Sequence, residues 1–227
     1  SGFNDTFIPD STGGNLIFKP ETVNSFEIGF KSTFADNRFR LNVALFYQDY
    51  QNKQEGLVQG TSVTVANAEE VNGYGFEIET SSMIYKGLQA DLSIGYLNME
   101  FEKFILGDQD LSGNRVSKTP DWTVFFSPQY RTVILTDYRL LARMDFYYTG
   151  KVYADLTNSE VIAREPVTLV NARIGVSTKD ERYSLALWGK NLTDEVIAIR
   201  GWEFLWGNQL AVNPPRTFGL EFRFNIY

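Results

Sequence analysis

The chain closes on PRTFGLEFRFNIY, where every second residue from Phe218 is apolar: Phe218, Leu220, Phe222, Phe224 and Ile226, with Gly219, Glu221, Arg223 and Asn225 between them. Side chains of a strand point alternately to opposite faces, so this spacing gives one apolar face and one polar face. The same period of two recurs along the chain. Phe26, Ile28, Phe30 and Phe34 share a face, as do Phe39, Leu41, Val43, Leu45 and Tyr47 against Arg40, Asn42 and Gln48. Tyr74, Phe76 and Ile78 alternate with Gly75, Glu77 and Glu79, and Leu88, Ala90, Leu92, Ile94 and Tyr96 with Gln89, Asp91 and Ser93. Further on, Trp122, Val124, Phe126 and Tyr130 oppose Thr123, Ser127, Gln129 and Arg131, and Tyr138 to Tyr148 oppose Arg139, Arg143 and Asp145. Val170, Ala172, Ile174 and Val176 alternate with Asn171, Arg173 and Ser177, and Tyr183, Leu185 and Leu187 precede the closing stretch. The pattern predicts about nine long strands and an all-β fold.

Composition narrows the setting. Aromatics make up 15% of the 227 residues, yet mean hydropathy is only -0.23, so apolar residues are evenly diluted by polar ones. No apolar run approaches the ~20 residues of a membrane helix. There is no Cys and no His. This excludes a disulfide framework, a Cys/His metal site, and Ser-His or Cys-His catalysis within these residues. Net charge is -7 with no basic run, which argues against a nucleic-acid partner. The opening residues SGFNDTFIPD carry no signal-peptide pattern.

The strands outrun the ~5–6 residues usual in soluble sheets and match the ~9–11 needed to cross a bilayer. Short turns fall near Asp36, Lys86, Asp137 and Asp180, and long connections run through residues 52–70, 105–118, 154–166 and 192–214. Tyr47, Tyr50, Tyr74, Trp122, Tyr148 and Tyr153 sit near the long connections, and Tyr138 and Tyr183 near the short turns. Aromatic girdles at both rims, with tight turns at one end and loops at the other, predict an antiparallel transmembrane β-barrel. A soluble sandwich needs neither aromatics at both rims nor so uniform an apolar face.

Several segments resemble one family. LIFKPETVNSFEIGFKS looks like the Lys-Pro-Glu-Thr segment that leads into a strand in TonB-dependent outer-membrane receptors, and VANAEEVNGYGFEIE resembles their strand with Asn-Ala (here Asn67 and Ala68) followed by Val-x-Gly-x-Glu-x-Glu, with Phe76 in a place often held by Val. KTPDWTVFFSPQY resembles a Pro-led strand of the family. VNARIGVSTKDERYSLALWGKNLTDE is similar to the penultimate hairpin with its Asn-Leu-x-Asp element at Asn191, Leu192 and Asp194, and PPRTFGLEFRF resembles the closing strand. The resemblance implies about nine C-terminal strands of a 22-stranded barrel with a plug inside. It implies import of a scarce ligand (a siderophore-bound iron, a vitamin or a glycan) across the outer membrane of a Gram-negative bacterium, powered by the inner-membrane TonB complex. A passive porin-like channel is the alternative, and an enzyme is not expected. Plug and TonB box are absent from these residues, so contact with TonB is expected through an N-terminal region outside them. An even strand count with both ends periplasmic places residues 1–23 in an extracellular segment and 24–227 in strands and loops of the barrel's C-terminal portion. Open sheet edges in lipid lack hydrogen-bond partners, which also points to a larger barrel. The other partners implied are outer-membrane lipid and the barrel assembly machinery. No cofactor is expected.

Candidate sites follow from the same pattern. Alternation sets Glu77, Glu79, Arg139, Arg143, Asp145 and Arg173 on the lumen side, where Glu77 and Glu79 could pair with Arg139, Arg143 or Arg173. Paired carboxylates also serve glycoside cleavage, but a charged wall contacting a plug is the expected role. GWEFLWGNQ offers Trp202, Phe204 and Trp206 as an aromatic platform for a small-molecule or glycan ligand in an extracellular loop; the alternative is that the rings pack on neighbouring loops or lie in the upper girdle. DQDLSGN places Asp108, Asp110 and Ser112 at alternating positions as a weak calcium candidate. Its twelfth position is Thr119 in place of the bidentate Glu, and no metal is expected. Pro128 interrupts an apolar strand and predicts a bulge.

Phe218, Leu220, Phe222 and Phe224 form the expected membrane-facing side of the closing strand, with Phe224 in phase and Tyr227 out of phase. Barrels of this kind close on an aromatic residue read during assembly. Deleting residues 225–227 leaves assembly intact if Phe224 is that signal, and impairs it if a bulge brings Tyr227 round; heat-modified mobility of the full-length barrel distinguishes the two.

Overall fold

The structure, a computed structural model, describes residues 2–3, 17–59, 62–204 and 207–226. These form fifteen β-strands and no helix. In chain order they are β1 (Gly2–Phe3), β2 (Ile17–Phe18), β3 (Thr22–Phe34), β4 (Phe39–Gln59), β5 (Ser62–Tyr85), β6 (Leu88–Lys103), β7 (Ile105–Leu106), β8 (Gln109–Asp110), β9 (Trp122–Ile134), β10 (Tyr138–Thr149), β11 (Val167–Thr178), β12 (Tyr183–Lys190), β13 (Ala198–Phe204), β14 (Gly207–Val212) and β15 (Thr217–Phe224). Nine of them build one antiparallel sheet in the order β15-β12-β11-β10-β9-β6-β5-β4-β3. The other six pair as three small two-stranded sheets, β1-β2, β7-β8 and β13-β14.

The register carries the apolar pattern unbroken from strand to strand. Val43 pairs with Ile78, Ile78 with Ile94 and Ile94 with Val124. Ala142 pairs with Ile174, Ile174 with Leu187 and Leu187 with Leu220. Because a slip of one residue flips every side chain to the other face, this agreement fixes the register. The resulting face is apolar and bare: Ile28 and Leu220 are each 71% exposed. A soluble protein does not leave such a patch in water. The bare face fits hydrocarbon.

Tyr153 lies in the β10–β11 connection, its hydroxyl bonded to Glu160, and among the strand residues the aromatic rim falls where the pattern placed it with one exception. Phe76, Tyr96 and Trp122 form a contiguous cluster on the apolar face near the long connections, Tyr96 and Trp122 having ring centroids 4.8 Å apart. At the short-turn end Tyr183 stacks on Phe224 at 5.2 Å, and the Arg182 guanidinium lies over both rings. Tyr50 is the exception. It occupies an even position of β4, opposite in phase to Tyr47, and packs against the loop core described below.

Two expectations are corrected. Residues 52–70 are not a loop, since β4 and β5 continue through them as a paired ladder to Gln59 and Ser62. Pro128 makes no bulge. Phe126 pairs with Phe146 and Gln129 with Arg143 in one constant register, and the ladder between β9 and β10 simply lapses for the two pairs between. Proline lacks the N–H that one of those bonds needs. On the polar face the Ser127 hydroxyl donates to Asp145 Oδ1 at 2.7 Å and bridges the same gap.

Tight turns close the other end. The β5–β6 turn needs glycine: Gly87 has φ +79°, and a Cβ there would lie 2.0 Å from the Arg131 carbonyl oxygen. That approach is used, because Arg131 N–H donates to Gly87 O at 2.7 Å. β15 ends at Phe224, in phase with the apolar face, and Asn225 N–H donates to Arg182 O. Tyr227 lies outside the described residues.

The two faces predict opposite tolerances. Ile174→Arg, in the middle of the apolar face, should cost about 2–4 kcal/mol, whereas Ser93→Arg on the polar face, paired with Glu79, should cost no more than about 1 kcal/mol. Urea titration of the full-length protein folded into lipid vesicles checks both. Equal costs would show that the faces are not differently solvated.

Candidate functional site

The polar face carries the charges, and the strands set their spacing. Glu77 and Glu79 project from β5 on the same side as Arg139, Arg143 and Asp145 of β10 and Arg173 of β11, as the shared register requires. Their pairing differs from the sequence expectation. Three strands separate β5 from β11 and two separate it from β10, so the glutamates and these arginines find nearer partners. Glu79 accepts from Asn42 at 3.3 Å. Arg143 bonds Asp145 at 2.7 Å, Arg173 bonds Glu221 at 2.6 Å, and Arg139 pairs with Glu181 in the β11–β12 turn. Glu27, Lys31, Asn42, Glu77 and Glu79 line one recess of about 350 Å³ on this face.

Above the charges, the long connections are folded structures. Met99 and Phe101, on the polar face of β6, are buried together with Val71, Ala66 and Ala68 of β5, Phe104, Leu111 and Val116 of the following connection, and Leu156 of the next. The buried phase along β5 changes from even positions at Ala66 and Ala68 to odd at Val71, beside a register shift between Glu70 and Val71. Residues 111–121 run back along the part of β6 that outreaches β9: Val116 N–H donates to Met99 O, Phe101 N–H to Asn114 O and Leu97 N–H to Asp121 O, all at 2.9 Å. Asn158, with φ +55°, then fastens the two connections. Its Oδ1 accepts from Arg115 N–H at 2.7 Å while its Nδ2 donates to Arg115 O at 2.9 Å. Asn114 adds a bond to Leu156 O.

Electrostatics tighten the same region. The hydrogen bond that Lys151 donates to Glu160 raises the Lys151 ammonium above its ordinary range and holds the Glu160 carboxyl low. Burial lowers the pKa of the Arg164 guanidinium, and its Nε has no hydrogen-bond partner among the described residues. The calcium candidate is divided up within this structure. Asp108 lies in the β7–β8 turn, Ser112 Oγ accepts from Phe104 N–H, and Asp110 accepts from Ser112 N–H at 3.0 Å. Hydrogen bonds from Ser112 hold the Asp110 carboxyl below the usual aspartate range. Among the described residues no three acidic, His or Cys groups converge as metal ligands. Of the aromatic platform, Trp202 and Phe204 belong to β13, and Trp206 lies outside the described residues.

The family described as TonB dependent receptor-like, beta-barrel, matches residues 1–192. The chain belongs to this family. Members are bacterial outer-membrane proteins, which accounts for the bare apolar face. A TonB-dependent siderophore receptor of Acinetobacter baumannii, PiuA, described as probable, is 29% identical over 156 residues, covering 64% of this chain and 20% of that protein. The crystal structure of PiuA superposes with a TM-score of 0.71 at 23% identity, over 93% of this chain and 29% of the other. The ferric yersiniabactin uptake receptor FyuA of Yersinia pestis gives a TM-score of 0.77 at 20% identity, over 95% and 33%. The copper transporter OprC gives 0.69 at 13% identity, over 92% and 32%. The chain thus spans a third or less of the length of these relatives.

The motifs that carry the family resemblance act here as fasteners. Lys19 of the Lys-Pro-Glu-Thr segment donates its N–H to Asn67 Oδ1 at 2.7 Å, and Glu21 accepts from Gln54 N–H at 2.7 Å, tying the lead-in to the β4–β5 ladder. Asn191, buried with φ +52°, donates to Glu195 O and accepts from Glu195 N–H, which closes the turn after β12. Asp194 accepts from Arg216 N–H and pairs with its guanidinium at 3.3 Å, which locks the last loop to the start of β15.

The sequence did not single out Asn158; an asparagine in a polar loop carries no mark of the backbone it will bond. Asn158→Ala should release the connection 104–119 from 150–166, because a lost pair of half-buried hydrogen bonds costs about 1–3 kcal/mol. Hydrogen exchange at the Arg115 amide should accelerate, with the membrane-spanning ladder unchanged. An unchanged Arg115 amide would mean that the clamp is idle.

Proposed function

We propose that this chain forms part of the wall of an energised outer-membrane importer, taking up a scarce ligand with work supplied by the inner-membrane TonB complex. The observation that carries the reading is the two-sided sheet: lipid-facing aliphatics on one side, and on the other charged groups and inward-folded connections that crowd the passage. A diffusion channel of porin type gains nothing from connections packed into a dry core over the polar face. Iron-siderophore complexes are the favoured ligand class, since PiuA is a siderophore receptor and FyuA a ferric yersiniabactin uptake receptor, while OprC is a copper transporter. Vitamins and glycans are the other classes to be separated. A receptor role accords with a family of transporters in place of enzymes.

The long connections are assigned to the cell exterior, with the β13–β14 hairpin that includes Trp202 and Phe204 as the first contact for ligand. Glu77, Glu79, Arg139, Arg143, Asp145 and Arg173 are assigned to the lumen wall, against a plug supplied by another part of the protein. The closing strand is the surface offered to the assembly machinery.

The test is uptake by cells expressing the full-length gene in a strain lacking its own receptors, supplied with ferric chelates, cobalamin or oligosaccharides. Accumulation of one ferric chelate should saturate and should stop when the proton-motive force is collapsed. Uptake that continues at the same rate without that force would exclude the energised reading in favour of a passive channel.

A further inference from the structure

The apolar face is not flat. Toward the closing strand it sinks into a groove of about 470 Å³. The register shows how the groove is built. Ala142 pairs with Tyr130 on one side and Ile174 on the other, and Ala172 pairs with Met144 and with Gly189. These small residues and Pro128 form the floor, while the exposed side chains of Tyr130, Met144, Ile174 and Leu187 stand up around it.

Leu192 closes the upper end. A Cβ on Gly189 would lie 2.6 Å from Leu192 Cδ2 and 3.0 Å from the Phe218 ring, so both side chains fold over the glycine. This lip is fixed through its backbone: Leu192 N–H donates to Val170 O at 2.8 Å, and Asn191 closes the turn around it.

The groove lies on the side of the sheet away from any plug. The charged residues between its floor positions send their side chains to the opposite face, where Arg143 bonds Asp145 and Arg173 bonds Glu221. The sheet can be extended only from its edges, β3 and β15, whereas the floor belongs to β9, β10, β11 and β12 between them.

The surroundings decide the occupant. This face lies in hydrocarbon, as in the other members of an outer-membrane family. Water does not fill an apolar cavity, for want of hydrogen-bond partners. An empty groove forfeits the dispersion contacts of its whole lining. What remains is the hydrocarbon chain of a lipid. A dry apolar cavity of ~150 Å³ already takes up a benzene-sized molecule. The groove is larger and crosses the strands from β9 to β15, about 19 Å at the ~4.8 Å strand spacing. The chains of one leaflet span about 15 Å, half of the ~30 Å hydrocarbon core. A whole chain therefore fits along it. Barrel strands tilt by about 35–45°, so a groove that crosses them runs obliquely through the leaflet and a chain enters it without leaving hydrocarbon.

We propose that this groove is a binding site for one acyl chain of a membrane lipid, recognised by its hydrocarbon and not by its headgroup. Ala142, Ala172 and Gly189 make the room, Met144 and Ile174 flank the chain, and Leu192 covers its end. A chain in the groove is touched from several sides at once, so it stays longer than one on the open wall. The assignment goes beyond the import reading and does not depend on it.

The experiment is native mass spectrometry of the purified full-length protein, released from detergent after incubation with palmitoyl-oleoyl phosphatidylethanolamine, to count the lipids retained. Wild type should keep one lipid more than the double variant Ala142→Leu with Ala172→Leu, whose floor is raised into the groove. Affinity for that lipid should fall about tenfold, the loss of contact with about two methylenes. Leu45→Phe, an enlargement on the same face outside the groove, should keep the wild-type count. Leu192→Ala, which removes the lip from a loop, should weaken retention in the same direction and serves if the double variant does not fold, as judged by heat-modified mobility. Phosphatidylglycerol with the same chains should bind alike, and dihexanoyl phosphatidylethanolamine should not compete. Equal retention by wild type and the filled variant overturns the proposal. So does binding that follows headgroup charge regardless of chain length. A wild-type dimer that the filled variant abolishes would assign the groove to a second copy of the chain and overturns it as well.

Discussion

Everything in this chain answers to one demand: in hydrocarbon, no backbone N–H or C=O can go unpaired. Water is not there to satisfy it. A strand meets the demand only through its neighbours, and so the nine-stranded ladder comes first and the side chains follow from it. Once the ladder exists, the period of two is imposed on every residue, and the division between lipid and interior is made strand by strand. The β9–β10 contact shows how strict the demand is. Where Pro128 withholds an N–H, the register does not shift, and Ser127 and Asp145 join the strands from the polar side.

Beyond the bilayer the constraint relaxes and a different force takes over. The connections have water available, yet they collapse onto Met99 and Phe101 and exclude it. The gain from burying such side chains is of the order of 1.5–3 kcal/mol each. The polar groups left inside are then obliged to find partners. Arg115 finds the carbonyl of Leu97, and Asn158 finds both backbone groups of Arg115. A packed cluster whose polar groups are hydrogen-bonded holds both connections in one shape.

The membrane-spanning part was legible because alternation is local: Ile28, Leu45, Ile174 and Leu220 declare their face without reference to any other strand. The charged residues were half legible. Alternation gave Glu77 and Arg173 the right face, but partnership depends on strand order and reach, and Arg173 turned out to meet Glu221 from the far end of the chain. Phase misled at Tyr50, counted with Tyr47 as a rim aromatic although it lies three residues on and therefore on the other face. The run 52–70 read as a loop because Gly, Asn and Glu are common there, yet pairing between β4 and β5 overrides weak local preference when a long partner lies alongside. The loop core was invisible, since Phe104, Leu111 and Leu156 have no shared period and meet only through tertiary folding.

The asparagine clamp has a consequence for how such proteins diversify. Two connections that share one core and one reciprocal backbone bond cannot drift separately: lengthening or resequencing the first displaces the seat of the second. Their variation among relatives should be inherited in pairs, and a chimaera that takes one connection from a relative and keeps its own version of the other inherits a mismatch at Asn158. The unit of exchange on this surface is the joined pair of loops.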